Sequence, residues 1–178
     1  MAFNVNDIKS RLRFEGARPT LFQVEFTNPV NGLSDGLVPF MAQASEIPPS
    51  IVEPIQVPYF GRTIKVAGDR TYPDWNVMIM NDEDFPIRNA LEEWSNMING
   101  FENNLRQETS YKTDARVTQY AKDGSIRRVY RFIGIFPISV GAIQLSWEAQ
   151  NQIETFDTTF AYDYWVIDGG NTGNAGGF

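Results

Sequence analysis

The chain has 178 residues, a net charge of −7, and neither cysteine nor histidine. That length suits one domain burying about 70% of the surface its unfolded chain exposes, so a core forms without covalent staples. The missing residue types exclude disulfides, thiolate metal sites, the usual zinc, copper and non-haem iron ligands, and the common nucleophile–base pairs; the acidic balance argues against grip on nucleic-acid phosphates.

The N-terminus, MAFNVNDIKSRLRFEGARP, holds no apolar run of signal-peptide length, and no stretch of the chain reaches the roughly 18 apolar residues of a membrane span. A soluble protein made in a cytoplasm is expected. Lys9, Arg11, Arg13 and Arg18 form a modest basic cluster, as do Arg127, Arg128 and Arg131. Interleaved with acids, they read as solvated or subunit-facing surface rather than as a nucleic-acid patch.

Residues 20–27 (TLFQVEFT) alternate, with Phe22, Val24 and Phe26 on one side, the period of a half-buried strand. Residues 28–36 (NPVNGLSDG) are turn chemistry, and 37–44 offer a second short strand that should pair with the first as a hairpin. From 46 to 74 the chain has prolines at 48, 49, 54, 58 and 73, too many for a central strand or a helix. It is nevertheless rich in Ile, Val, Tyr and Phe. An extended Pro-rich arm over 46–70 is predicted, with a strand at 63–67. Ile51, Val52, Ile55, Val57, Tyr59 and Phe60 are its apolar content, and Arg62 and Lys65 are available for acids on a neighbour. Residues 76–80 (NVMIM) read as a strand buried on both faces.

Ile87, Ala90, Leu91, Trp94 and Ile98 follow helical spacing, with Pro86 in the first turn, acids at 82–84 to complement the dipole, and Gly100 at the stop. Residues 101–113 read as a polar loop. Residues 115–121 and 126–136 flank KDGS, whose Asp123-Gly124 pair is a strong hairpin signal. Residues 152–167 form the longest strand candidate, with Phe156, Thr158, Phe160, Tyr162 and Tyr164 on a packed side and Asp157, Thr159, Ala161 and Asp163 on a wet one. No Lys or Arg follows Arg131, whereas Glu148, Glu154, Asp157, Asp163 and Asp168 do, so this quarter is read as carrying uncompensated acids. A flexible Gly-rich tail is expected over 168–178.

The expected fold is one domain over 1–167, mainly β: an antiparallel β-sandwich or barrel with one flanking α-helix. No enzyme site stands out. Glu92 and Glu93 would point about 100° apart on a helix, and Asp157 and Asp163 would lie roughly 20 Å apart on a strand, so neither pair suits glycoside hydrolysis. The tail glycines lack the Gly-Lys-Ser/Thr of a phosphate loop. No metal or cofactor is expected. An apolar arm that so short a chain has little room to bury marks a partner site. The residues read as a β-rich oligomer subunit, with a carbohydrate-binding β-sandwich, encouraged by four Trp and seven Tyr, as the reading from another class.

An ordered set of segments also resembles a known family. The run Ala17-Arg18-Pro19-Thr20-Leu21-Phe22-Gln23-Val24-Glu25 is similar to the tail-tube proteins of T-even-type contractile phages. So are the arm through Ile47, Pro48, Ile51, Val52, Pro58 and Lys65, the run from Val66 to Thr71, and Asp74-Trp75. Met80-Asn81-Asp82, Gln119-Tyr120-Ala121, Gln144-Leu145, Trp147, Ile153, Thr155-Phe156 and Asp163-Tyr164-Trp165 continue the likeness in the same order. The departures are the NPVNGLSDG stretch, longer than the family's equivalent turn, and the tail beyond Ile167.

The resemblance implies a non-enzymatic homohexamer former whose rings stack into a hollow virion tail tube, assembled in the host cytoplasm. Its implied partners are its own copies, the tail sheath protein, baseplate and tail-terminator proteins, the tape-measure protein, and viral double-stranded DNA in transit without specific binding. Edge strands would pair between neighbours to close each ring. The arm would reach the next ring, and Asp157 and Asp163 would help make a lumen that repels phosphates. The tube of a phage-like injection or type VI secretion machine is the alternative within the same class.

Overall fold

The computed structural model describes residues 5–12, 16–30, 32, 35–102, 111–170 and 172. Among them, in chain order, run α1 (Val5–Arg11), β1 (Phe22–Phe26), α2 (Val38–Met41), β2 (Ala42–Ser45), β3 (Ile51–Tyr59), β4 (Arg62–Thr71), β5 (Trp75–Met80) and α3 (Pro86–Ile98). β6 (Thr113–Tyr120), β7 (Ile126–Val140), β8 (Thr155–Ala161) and β9 (Tyr164–Ile167) follow. All strand pairs are antiparallel.

One strand builds the body. β7 is 15 residues long, and at Gly134 its backbone turns through a left-handed conformation, φ +71°. Before that point β7 lies between β6 and β9, and β6 carries β1 on its other side. Beyond it, residues 136–140 pair with β8, followed by β5 and then β2. The two arms fold into facing layers. Their inward alternations supply the core: Val24, Phe26, Ala115, Val117, Tyr130 and Phe132 from one layer, and Trp75, Val77, Ile79, Phe156 and Phe160 from the other. Rings bridge the layers, Trp75 stacking on Phe132 at 4.5 Å and Phe26 tilting against Phe160 at 5.3 Å. α3 adds Ile87, Leu91 and Trp94, and the indole N–H of Trp94 donates to the Tyr111 carbonyl at 2.8 Å.

The mainly antiparallel β fold, the helix from Pro86, and the hairpin around Asp123-Gly124 match the sequence reading. Several local expectations are corrected. Residues 37–44 are not a strand paired with β1; they are the single-turn α2 followed by β2, while β1 pairs β6 and β2 pairs β5. Pro39 explains this, since it has no N–H for a ladder and suits a first helical turn.

The strand over 76–80 is covered on one face only: Val77 and Ile79 are buried but Asn76 is exposed and Met78 half-exposed. Acids 82–84 precede Phe85, the residue before α3, and none lies in its first turn, where the dipole is felt. Residues 152–167 break at Tyr162 and Asp163 into β8 and β9, which belong to different layers. The break inverts the alternation, so Tyr164 is exposed while Trp165 is half-buried and Ile167 buried. The 101–113 loop lies outside the described residues for 103–110, and the tail does so for 171 and 173–178.

Candidate assembly surfaces

β3 and β4 form a sheet of their own, each hydrogen-bonded only to the other. The predicted arm is therefore a β-hairpin. Phe60 and Gly61 at its tip have φ +43° and +78°, the two left-handed residues that match a two-residue turn to strand twist. Pro54 and Pro58 share one alternation of β3, so both missing N–H groups fall on one side of the strand, and a strand with a single partner has a free side for them.

The register sorts the hairpin into two faces. Ile55 sits opposite Val66, Val57 opposite Ile64, and Tyr59 opposite Arg62, with Ile51 on the same alternation. The reverse face pairs Pro54 with Ala67, Gln56 with Lys65, and Pro58 with Thr63. Every residue of β3 is exposed; Ile55 keeps 55% of its surface, Ile64 52%, and Phe60 at the tip 91%. A lone two-stranded hairpin is marginal in water, and an apolar face held outside the core lacks the cover that burial supplies. Of the expected arm residues, Ile51, Ile55, Val57, Tyr59 and Arg62 share the apolar face, whereas Val52 and Lys65 lie on the reverse. Ile64 and Val66 were missed; the alternation of Thr63-Ile64-Lys65-Val66 behind Gly61 is the signal that marks them.

A second surface lies where β5 and β8 meet α2. Met41, Met80, Phe85 and Ile153 line a groove of about 570 Å³ together with Asn81, Gln152 and the acids Asp82, Glu83 and Glu154. The loop from 141 to 154 beside it holds out Leu145, 83% exposed, and a fully exposed Trp147. The other three tryptophans are buried or half-buried. β1, β2 and β9 each pair with one neighbour, leaving an open edge on each.

The two predicted lumen acids differ. Asp157 is exposed on the outer face of β8 opposite Met78. Asp163 lies beyond the end of β8, where Lys112 Nζ donates to its two carboxylate oxygens at 2.6 and 2.9 Å. Asp168 is 3.9 Å from Arg131. The acids of the C-terminal quarter are therefore partly compensated, because antiparallel pairing brings bases from earlier in the chain alongside them.

The perturbed titrating groups have structural causes. The hydroxyl and then the amide of Ser125 hold the Asp123 carboxyl below its ordinary value within the β6–β7 turn. Hydrogen bonds from Arg131 to Asp114, at 2.7 and 3.2 Å, raise that guanidinium further, reinforced by the charge of Asp114. Burial, followed by Tyr72, Asp74 and Glu46, pushes Tyr162 up to about 12. Among the described residues no helix is long and apolar enough to cross a membrane.

The model of the family described as phage tail tube protein matches residues 17–168. Over 152 residues the chain is 40% identical to tail tube protein gp19 of Enterobacteria phage T4, covering 84% of this chain and 90% of that one. The gp19 of Enterobacteria phage T6 is 39% identical over the same coverage. Among solved structures, a chain of the extended sheath-tube complex of an extracellular contractile injection system, PVC, superposes with a TM-score of 0.63 at 14% identity, covering 94% of this chain and 99% of that one. The tube-terminating cap of the anti-feeding prophage gives 0.64 at 17% identity, covering 88% and 93%. At such identities these structures show a shared fold.

Proposed function

The chain belongs to the phage tail tube protein family, and from that premise we propose that its copies close into hexameric rings that stack as the hollow inner tube of a contractile phage tail. The observation that carries this is the β3–β4 hairpin, an amphipathic element whose apolar face is exposed. Its place is against a second copy in the next ring. The open edges of β1, β2 and β9 are the surfaces available to neighbours within a ring.

In this reading the subunit does no chemistry. A contractile sheath surrounds the tube, a baseplate starts it, a terminator ends it, and a tape-measure protein sets its length; the sheath-tube and tube-terminating cap assemblies among the fold neighbours support the first and third of these roles. Assembly takes place in the host cytoplasm. The outer face of β5 and β8 carries Asn76, Thr159 and Asp157, with the Thr159 hydroxyl donating to Asn76 at 2.9 Å. Such a surface suits a lumen through which double-stranded DNA slides without being held. Asp157 supplies its repulsion more than Asp163, which Lys112 neutralises. The likeness in fold to injection systems keeps a protein-conducting tube as the second reading, while 40% identity to a phage protein favours the phage tail.

Negative-stain electron microscopy of the purified chain tests the assembly. Hollow rings or stacked tubes are expected; small uniform particles at high concentration, with and without a baseplate initiator, overturn the reading.

A further inference from the structure

We infer that the hairpin tip of one copy docks into the groove formed by Met41, Met80, Phe85 and Ile153 at the far end of the next copy. The inference rests on the tube reading and names the receiving surface. Position comes first. β4 runs into β5 through residues 72–74, so the hairpin springs from the Trp75 end of that strand, whereas Met80 at its other end lines the groove. β2 repeats the polarity: its last residue, Ser45, leads towards the hairpin, and Met41, just before its first residue, lines the groove. The two surfaces thus stand at opposite ends of one layer, roughly 20 Å apart along a six-residue strand. A contact between unlike ends is heterologous, and where it runs along the layer with no rotation that closes it, it propagates as an open stack.

Chemistry agrees with position. The tip half of the hairpin carries Arg62 and Lys65 and no acid, beside Tyr59 and the nearly fully exposed Phe60. The groove is lined by Met41 and Met80, side chains that adapt to an inserted partner, with Phe85 and Ile153 beside them and the amides Asn81 and Gln152 in the same lining. The lining also carries the acids Asp82, Glu83 and Glu154 and no base. About 570 Å³ accommodates side chains rather than a few waters. Backbone strain gathers at the same two places. The three described non-glycine residues with positive φ are Phe60 at the tip, Phe85 in the groove, and Asn151 in the loop that leads to Ile153.

The absence of native cysteine makes the test direct. The full chain carrying Phe60→Cys and Ile153→Cys is assembled and oxidised, then run on a non-reducing denaturing gel. A ladder of covalent multimers extending past six units is expected. The control pair Phe60→Cys with Ile126→Cys, on an exposed residue away from the groove, should stay at background. Tubes that form while the Phe60/Ile153 pair links no better than this control overturn the docking but leave the tube reading standing. Failure of the unaltered chain to form rings or tubes overturns both.

Should the cysteine variants not assemble, charge reversal decides the matter. Arg62→Glu and Glu83→Lys should each reduce stacked rings several-fold. The double variant should restore them, and losses that simply accumulate would overturn the proposal.

Discussion

Tyr162 holds its hydroxyl in a buried position with no hydrogen-bond partner among the described residues. Burial then favours the neutral phenol, and Tyr72, Asp74 and Glu46 add to the effect. A folded-state value raised from 10.0 to about 12 means that the stability tied to this group is fully present below about pH 10 and is lost as pH rises through 12. Tyr162→Phe keeps the ring that meets Phe132 edge-on at 5.2 Å and removes only the unpaired hydroxyl. Its unfolding free energy, measured by urea denaturation at neutral pH, should be unchanged or higher by up to about 1 kcal/mol, and its alkaline decline between those pH values should flatten. At the hairpin tip, Phe60 occupies a left-handed conformation that costs a bulky residue about 1–2 kcal/mol and that asparagine tolerates. Phe60→Asn is therefore expected to fold at least as stably as the parent while stacking poorly, which separates assembly from folding when sedimentation and thermal melting are measured together.

Among the elements, β7 depends on Gly134. A Cβ there would sit 2.3 Å from a carboxylate oxygen of Asp163, which Lys112 holds in place, and the backbone is already at φ +71°. Gly134→Ala should cost about 1–3 kcal/mol in chemical denaturation, from backbone strain and displacement of that ion pair. The hairpin makes the opposite case. Its side chains are absent from the core, so replacing residues 51–71 by a short flexible link should leave a folded protein whose melting temperature changes little. Rings without stacked tubes are expected by electron microscopy, and tubes of normal length would show that stacking lies elsewhere. Sequence period revealed the apolar content of this arm but not its strand pairing, because five prolines between 46 and 74 argue against strands in general while a free-edged hairpin tolerates two of them.

For the whole molecule, a net charge of −7 conceals an uneven surface: bases near the hairpin tip, acids at the groove, and a mostly neutral outer face on β5 and β8. If that face lines the channel, Asp157→Lys adds a positive charge to each copy facing the DNA. Ejection, followed by release of dye-accessible DNA, should slow with tubes intact; unaltered kinetics would place the face elsewhere. Asp163→Lys is the poorer probe, since it sets two cations side by side at Lys112 and disturbs the bend between β8 and β9.

Alternation in residues 20–27, the helical spacing of Ile87, Leu91 and Trp94, and the turn at Asp123-Gly124 were legible in the sequence because each is fixed by neighbours a few residues away. The missing His and Cys, and the apolar arm too large for a small core, likewise needed no fold to be read. Strand partnership did require the fold. Only the left-handed turn at Gly134 assigns the halves of β7 to two layers, separates β8 from β9, and sets Lys112 beside Asp163. The groove needed it too, since Met41, the segment from Met80 to Phe85, and Ile153 converge from three separate parts of the chain. Such contacts are set by long-range pairing, and alternation along a strand records which residues face inward but not which strand lies beside it.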